Sequence, residues 1–322
     1  MKIFFTYEQQ VEHLKKKGFI ISDPDSVIEI LRKENYYNVI NAYLELFIDK
    51  KQSKINKYDT VKKNARIEEI ITVYKLDIFL RNLFLKNILI LENNIRTAIA
   101  HEFSKAHGIY HDEYLIIDNF YYKNDNEQKQ LEDLISSIKN EINHKTMREK
   151  DNIVKHYLNK HEHIPLWVLI NIFTFGNLSK FYYFLKTEEK KDIARYFDLN
   201  APNFKSFMSI LSLYRNICAH SERFFCEKVH KNINIQNTKI ETYYKDFNIQ
   251  KESNGNYEQG LNDVFSLIMI FKLMLPSNNF KIFTETLVSY FDDINKCLIT
   301  ITIKDIQKKM GFPENWKEII NS

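Results

Sequence analysis

Apolar residues recur every three or four positions over most of this 322-residue chain, and the pattern is most regular between residues 66 and 107. This spacing places side chains on one face of a helix with 3.6 residues per turn. Additional apolar residues fall between the repeating positions, which predicts a helix buried on several sides. Gly108 is the expected end of this helix. The repeating positions are Leu76, Phe79, Leu80, Leu83, Phe84, Asn87, Ile88 and Leu91.

The same criterion predicts further helices along the rest of the chain. The 6 Gly and 5 Pro are few for a protein rich in loops or strands. No run alternates strictly between apolar and polar residues, so little sheet is expected. The sequence therefore predicts an all-α protein. We expect helices over residues 6–18, two short helices within 26–50, and helices over 129–160, from 165, over 180–185, 203–225, 257–275 and 278–296, with an amphipathic tail over 302–322.

The apolar pattern weakens in three places. Residues 50–63 are polar and rich in Lys, which predicts a solvated connection. Residues 175–179 interrupt the pattern between two helices. Residues 227–256 lose periodicity and gain Asn and Lys, which predicts a surface excursion that is partly extended. The expected organisation has three parts: a small N-terminal helical region at 1–64, a helical core at 65–226, and a variable C-terminal part at 227–322 that packs on the core.

Arg215, Asn216 and His220 follow a mostly apolar run at residues 204–213, and we predict that they lie in the middle of a buried helix. Burying such side chains is unfavourable unless they pair or take part in chemistry. Positions four apart share a helical face, so Asn216 should lie beside His220, and the long Arg215 side chain can reach the same cleft. An imidazole can move the proton of a ribose 2′-hydroxyl, and a guanidinium can hold the phosphate on which charge develops. These three residues are candidates for cleaving RNA.

A second Arg with a His five residues later occurs at Arg96 and His101. Chance predicts roughly a quarter of one such pair among the eight Arg of the chain. An Ala precedes the His in both motifs, but Thr97 stands where the other motif has Asn216. A surface Arg with a structurally satisfied His is the alternative interpretation of either pair.

Composition and charge indicate where in the cell the protein is found more clearly than they indicate its biochemical activity. The net charge of +4 permits nucleic-acid binding without indicating a basic tail. The 3 Cys are few and odd in number, which favours a reducing compartment. The N-terminus has no signal-peptide core, and the longest uncharged run, residues 164–179, is short for a membrane span. We expect a soluble, cytoplasmic protein that does not contact a membrane.

Two clusters contain metal-ligating residue types, but their spacing is poor. The His-Glu-His run at 161–163 does not face one direction on a helix. Cys218 and His220 lack a usual zinc spacing beside Cys226 and His230. The chain also has no Gly-rich phosphate loop. We expect neither a metal ion nor a cofactor.

The motif at residues 215–220 resembles the R-x4-6-H motif of HEPN ribonucleases, in which an Asn often follows the Arg. Other segments, in the same order, resemble the Abi family of bacterial abortive-infection proteins, of the AbiD/AbiF type. The resemblance covers roughly residues 8–225. The segments that carry it are 17–23 (KGFIISD), 35–37 (NYY), 90–96 (ILENNIR), 165–167 (PLW), 175–178 (FGNL) and 215–216 (RN).

This resemblance implies a HEPN-like helical bundle and metal-independent cleavage of RNA. In such cleavage the 2′-hydroxyl attacks the adjacent phosphate and leaves a 2′,3′-cyclic phosphate and a 5′-hydroxyl. The resemblance implies that His220 is the general acid or base, Arg215 the phosphate ligand and Asn216 the orienting residue. HEPN sites form where two motifs face each other, either in a homodimer or within one chain. In the second case Arg96 and His101 would supply the other half, although Thr97 departs from the pattern.

The resemblance also implies a role in phage defence or as a toxin, and a structured noncoding RNA as a partner. Two other functions stay open at this point. The chain is alternatively a non-catalytic RNA-binding protein of a ribonucleoprotein complex, or an enzyme that acts on nucleotides as some HEPN relatives do. Tyr-rich stretches at 35–43, 110–122 and 243–257 offer rings for stacking unpaired bases, although packing is the commoner role of Tyr.

Overall fold

The computed structural model describes residues 4–148, 152–233 and 238–320. Within these ranges the chain forms helices and connecting loops, with isolated bridges but no β-strand, so the predicted all-α class is confirmed. No helix in these ranges is long and apolar enough to cross a membrane. The α-helices are α1 Tyr7–Lys16, α2 Pro24–Lys33, α3 Lys50–Asn56, α4 Ile67–His107, α5 His111–Tyr114, α6 Asp125–Met147, α7 Ile153–His161, α8 Leu166–Leu169, α9 Phe175–Phe184, α10 Thr187–Arg195, α11 Ala201–Ala219, α12 Thr238–Asp246, α13 Val264–Met274, α14 Ser277–Cys297 and α15 Ile303–Lys309. Shorter turns are π-helical at Tyr37–Asn41 and 3₁₀-helical at Leu44–Leu46, Ile117–Asn119, Ile170–Ile172 and Trp316–Ile320.

The core is built around α4, which runs unbroken for 41 residues, or about 60 Å. The predicted end is confirmed, because the Gly108 N–H donates to the Ser104 carbonyl at 2.9 Å. The helices α8 to α11 and α14 pack against α4, so it is enclosed on several sides, as the extra apolar residues predict. Polar side chains are nevertheless buried on it: Glu69, Asp77, Arg81, Asn87, Glu92 and Glu102.

The C-terminal part of the chain contacts the start of α4 through Glu69. This carboxylate accepts the Ile299 and Thr300 N–H groups and the Thr300 hydroxyl, each at 2.7 Å. Burial would raise the pKa of Glu69, but these hydrogen bonds together outweigh it and lower the pKa. The α14 helix also packs on α4. The division of the chain into three domains stays a prediction.

The prediction missed helical residues in two stretches where the apolar pattern is weak. In each stretch a capping side chain begins a helix. Residues 175–179 were expected to interrupt the pattern, but they begin α9, since the Thr174 hydroxyl accepts the Asn177 N–H at 3.1 Å. Residues 50–63 were expected to be a loop, but they contain α3, which Asp49 caps.

The polar helix expected over residues 129–160 is two helices, α6 and α7. The side chain of Asn152 accepts the Lys155 N–H at 3.1 Å and so begins a new helix. The connection at 149–151 lies outside the described residues.

Residues 227–256 contain more buried structure than a surface excursion implies. The Val229 and Ile233 N–H groups donate to loop carbonyls at 2.9 and 2.7 Å. The helix α12 then buries Tyr244, whose ring stacks on Tyr257 at 3.9 Å between centroids. Residues 234–237 of this stretch lie outside the described residues.

Candidate functional site

The helix α11 ends one residue before His220, and a Schellman turn fixes the backbone there. The His220 N–H donates to the Asn216 carbonyl at 2.9 Å. Ser221 has a left-handed φ of 58°, and the Glu222 N–H returns to the Ile217 carbonyl at 3.1 Å. The prediction of a single buried helix that runs through this motif is therefore wrong. Asn216 and His220 are both exposed.

The segment after α11 is attached to α4 by the buried carboxylate of Asp77. This carboxylate accepts the Phe225 N–H at 2.7 Å and the Phe224 N–H at 3.2 Å. It also accepts the Tyr43 hydroxyl and the Arg81 guanidinium, each at 2.9 Å. Burial raises the pKa of the Asp77 carboxyl, and the guanidinium and the two amides counteract this rise. The turn that carries His220 is thus held to α4 by hydrogen bonds to the Asp77 carboxylate, which also forms an ion pair with Arg81.

His220 lines a cleft of about 630 Å³ together with two guanidinium groups, those of Arg81 and Arg223. Arg81 also donates to the Glu222 carbonyl at 2.9 Å, and Arg223 donates to the Ala42 carbonyl at 2.9 Å. Arg223 is the exposed cation of the two, since Arg81 is buried and paired with Asp77. The cleft therefore combines a proton-transfer group with one accessible cation that suits a phosphate. Its lining also contains the carboxylates of Glu222 and Glu227. Other residues that line the cleft contribute aromatic, amide and carboxylate groups. They include Glu34, Tyr37, Asn38, Asn41 and Tyr74.

Tyr37 and Tyr74 give this cleft its aromatic surface. The side chain of Tyr37 is well exposed, so its ring is accessible for stacking. Burial and the hydrogen bond to Glu34 raise the pKa of Tyr74 to about 12. The Tyr74 hydroxyl is consequently protonated at neutral pH and does not serve as the base of the cleft.

The arginines of the two motifs meet at the buried carboxylate of Glu92. Arg96 donates to Glu92 Oε1 and, at 2.8 Å, to the Phe173 carbonyl. Arg215 approaches from α11 and places Nε 3.7 Å from Glu92 Oε2. The Glu92 side chain is 1% exposed, whereas that of Arg215 is 32% exposed. Among the described residues neither Arg215 Nε nor Glu92 Oε2 has a hydrogen-bond partner. Arg215 is therefore attracted electrostatically to this carboxylate, but its Nε–H does not donate a hydrogen bond to it.

His101 belongs to a different network. Its Nδ1 lies 3.0 Å from Glu102 Oε1 and 3.1 Å from the Tyr196 hydroxyl, which itself donates to Glu102 at 2.8 Å. Burial would raise the pKa of Glu102, but its hydrogen bonds outweigh this and lower the pKa. His101 and Arg96 line a groove of about 280 Å³ beside the exposed Trp167. The second motif is thus a surface feature with its own groove.

The two histidines do not share a site within one chain. The helices α4 and α11 run antiparallel, so that Glu92 meets Arg215 while Arg81 contacts the residues just after His220. His101 lies twenty positions beyond Arg81 on α4, which corresponds to about 30 Å of helix. The structure therefore brings the two arginines together and keeps the two imidazoles apart.

Four residues at the site were not singled out in the sequence: Asp77, Arg81, Glu92 and Arg223. A signal for three of them was present. Asp77–Arg81 and Glu92–Arg96 are pairs of opposite charge spaced by four, within the stretch predicted to be buried. Charged residues are almost never fully buried unless paired, so such pairs mark functional or structural networks. Arg223 gives no such signal, because it follows the helix end.

Among the described residues no three His, Cys, Asp or Glu side chains converge as a metal site requires. Burial raises the pKa of the Cys218 thiol to about 12, so this Cys is not a thiolate nucleophile at neutral pH.

Comparisons with known proteins identify a family for most of the chain. The family described as Abi-like protein matches residues 29–226, which is more than half of the sequence and includes the helices α4 and α11 and both motifs. No curated protein and no solved structure matches the chain.

Proposed function

The chain belongs to the Abi-like protein family, and from this membership and the geometry of the cleft we propose that it is a metal-independent RNA endonuclease. In this proposal it acts in phage defence by abortive infection, or as a toxin, with RNA as substrate and a structured noncoding RNA as partner. The observation that supports it best is the position of His220. An exposed imidazole stands at a fixed helix end and lines a cleft that also contains two guanidinium groups.

His220 acts in this proposal as the general acid or base that moves the proton of the ribose 2′-hydroxyl. Arg215 binds the phosphate on which negative charge develops, and its partly exposed, loosely held guanidinium suits that role. Asn216 is exposed one position further along α11 and orients the substrate or the imidazole. Arg223, at the cleft, adds a second cation for the neighbouring phosphate.

The paired arrangement of two motifs is formed between two chains rather than within one. Within a chain His101 lies about 30 Å along α4 from Arg81, which contacts the turn after His220, so the two imidazoles are too far apart to act on one phosphate. A homodimer that joins the exposed ends of two α11 helices brings two copies of the 215–220 motif together. The Arg96 and His101 pair then has a supporting role, in which Arg96 shares Glu92 with Arg215.

The chemistry of the cleavage provides the test. Wild-type protein should cut a labelled RNA in the presence of EDTA and leave a 2′,3′-cyclic phosphate and a 5′-hydroxyl. The same oligonucleotide with a 2′-deoxy sugar at the cut position should stay intact at that position, because the attacking hydroxyl is missing. Cleavage of DNA, or a loss of activity with EDTA, would contradict the proposed mechanism.

A second function, non-catalytic RNA binding in a ribonucleoprotein complex, is favoured by one observation. Arg215 is directed at Glu92 and lines none of the cleft that His220 lines. If this arrangement persists with RNA bound, His220 and Arg223 are phosphate contacts only. In that case RNA binds and co-purifies, and no product with a cyclic phosphate appears under any condition.

A further inference from the structure

A second pocket, of about 280 Å³, lies where α6, α9, α10 and α11 meet. It lies at the opposite end of α11 from His220, since Lys205 precedes His220 by fifteen positions, or about 22 Å of helix. Three lysines line this pocket, Lys123, Lys190 and Lys205, whereas Glu127 contributes the carboxylate. The lining therefore has a net positive charge, and we call it the lysine pocket.

The three ammonium groups of the lysine pocket are not neutralised by ion pairs. In the described part of the chain none of them lies within ion-pair distance of a carboxylate. Lys205 and Lys190 lie over the ring of Tyr183 instead, with Nζ 4.3 and 5.6 Å from its centroid. Glu127 is already occupied, because it accepts the Tyr183 hydroxyl at 2.6 Å and the Lys123 backbone N–H at 2.9 Å. A bound anion would therefore balance the charge of these ammonium groups.

The lowered pKa values of Lys190 and Lys205 agree with this absence of a counter-anion. Burial and the neighbouring Lys205 lower the pKa of Lys190 from 10.5 to about 8. Lys123 adds to the repulsion, and Glu189 and Glu127 offset it only in part. Burial and Lys123 also lower the pKa of Lys205. The environments of Lys190 and Lys205 both disfavour the charged form, and an anion between the two ammonium groups would favour it again.

The start of α11 contributes to the same pocket. Ala201 and Pro202, in the first turn of this 19-residue helix, line it. The N-terminus of a helix carries a partial positive charge and suits a phosphate. Tyr121, which is 51% exposed, lines the pocket at its edge and offers an accessible ring. A ring beside a cluster of lysines is the combination that binds a base and its phosphate.

We infer that the lysine pocket binds the phosphate group of a nucleotide, with the base against Tyr121. Its volume suits one phosphate with its sugar rather than a longer segment, because whole-ligand pockets are commonly larger than 300 Å³. The phosphate belongs to a free mononucleotide or to one position of an RNA chain, and the two sources share the same contacts. The inference is independent of the proposed cleavage at His220.

Binding to three probes tests this inference: inorganic phosphate, adenosine monophosphate and a labelled single-stranded RNA of mixed sequence. The full-length protein is compared with the double variant Lys190→Gln/Lys205→Gln and with Lys191→Gln. Lys191 is a matched control, because it lies on the same helix next to Lys190 but pairs with Glu188 at 2.8 Å on the exposed side.

We expect adenosine monophosphate to bind the wild type and the control equally, and the double variant about tenfold or more weakly. If an RNA chain occupies the pocket, the salt dependence of RNA binding also falls, by a slope of about 1.4 for two lost contacts to a single strand. Unchanged salt dependence with weakened mononucleotide binding identifies a free nucleotide as the ligand. Equal binding of adenosine monophosphate by wild type and double variant, or no binding by either, overturns the inference, as does binding of inorganic phosphate alone.

Lysine footprinting keeps the test valid if the double variant fails to fold. Wild-type protein is labelled with an amine-reactive reagent with and without adenosine monophosphate, and modified residues are identified by mass spectrometry. Lys190 and Lys205 should be protected by the nucleotide, while Lys191 should react as before. Protection of none of the three, or of all three alike, counts against the pocket.

Discussion

At the scale of single residues, buried carboxylates on α4 hold the cations and loops of the candidate site. Asp77 holds Arg81 and the segment after α11, and Glu92 holds Arg96 while attracting Arg215. A buried charge that loses its partner is far more destabilising than an exposed one. These carboxylates therefore couple the stability of the core to the geometry of the site.

Replacing Glu92 with Gln should lower the free energy of unfolding by about 2 kcal/mol, because the partly buried guanidinium of Arg96 then loses the counter-charge to which it donates a hydrogen bond. Chemical denaturation measures this change. Glu188→Gln is the control, since Glu188 pairs with Lys191 at the exposed surface and its loss should have a much smaller effect on stability. Equal effects of the two substitutions would show that Glu92 does not balance the charge of the Arg96 guanidinium.

Lys190→Gln should stabilise the protein at pH 7 by about 1 kcal/mol, after allowance for screening by solvent. The pKa of Lys190 is lowered from 10.5 to about 8, so between these values the unfolded chain binds more protons than the folded one. Stability of the wild type from this group consequently rises with pH between about 8 and 10.5. Unfolding followed at several pH values should show this rise in the wild type and a smaller rise in the variant. A variant that is less stable at pH 7, with the same pH profile, would contradict the assignment.

At the scale of elements, the end of α11 decides where the imidazole of His220 stands. The left-handed residue Ser221 turns the chain out of the helix, and the Glu222 N–H closes the turn. The next residues are then bonded to Asp77 on α4. A change of conformation at Ser221 would move the imidazole relative to the cleft.

Ser221→Gly should raise the free energy of unfolding by about 1 kcal/mol, because Gly adopts a left-handed φ without the steric penalty of a side chain. The matched control is Ser209→Gly in the interior of α11, which should lower stability by about 0.5 kcal/mol, because Gly is a poorer helix former than Ser. Thermal or chemical unfolding of both variants gives the comparison. The same sign for both substitutions would argue against the helix end described for His220.

The helices were predictable where one apolar pattern extends over many turns and a Gly or Pro marks the end. This holds for α4, which stops at Gly108, and for the boundary between α13 and α14 at Pro276. The predicted start of α13 at residue 257 is wrong, because the Asp263 side chain accepts the Ser266 N–H and begins the helix at Val264. The pattern failed where a side chain caps a helix inside a polar or mixed stretch, as at Thr174. It also failed at Ser221, because no Gly announces that left-handed turn.

At the scale of the whole molecule, the antiparallel pairing of α4 and α11 determines the relation between the two motifs. It brings Arg96 and Arg215 to the one carboxylate of Glu92, and it places His101 and His220 toward different ends of α4. The sequence supplied the residue types and their spacing within each motif. It could not supply the contact between residues 92 and 215, because that contact depends on how two distant helices pack.

The identity of the catalytic imidazole is the central claim, and cleavage by single variants tests it most directly. A labelled RNA pool is incubated with EDTA and equal amounts of wild type, His220→Ala, His101→Ala and the exposed control His230→Ala. We expect His220→Ala to cut about 10²- to 10⁴-fold more slowly, while His101→Ala and His230→Ala retain activity. Cleavage by His220→Ala at the wild-type rate, or an equal loss in His101→Ala, would contradict it.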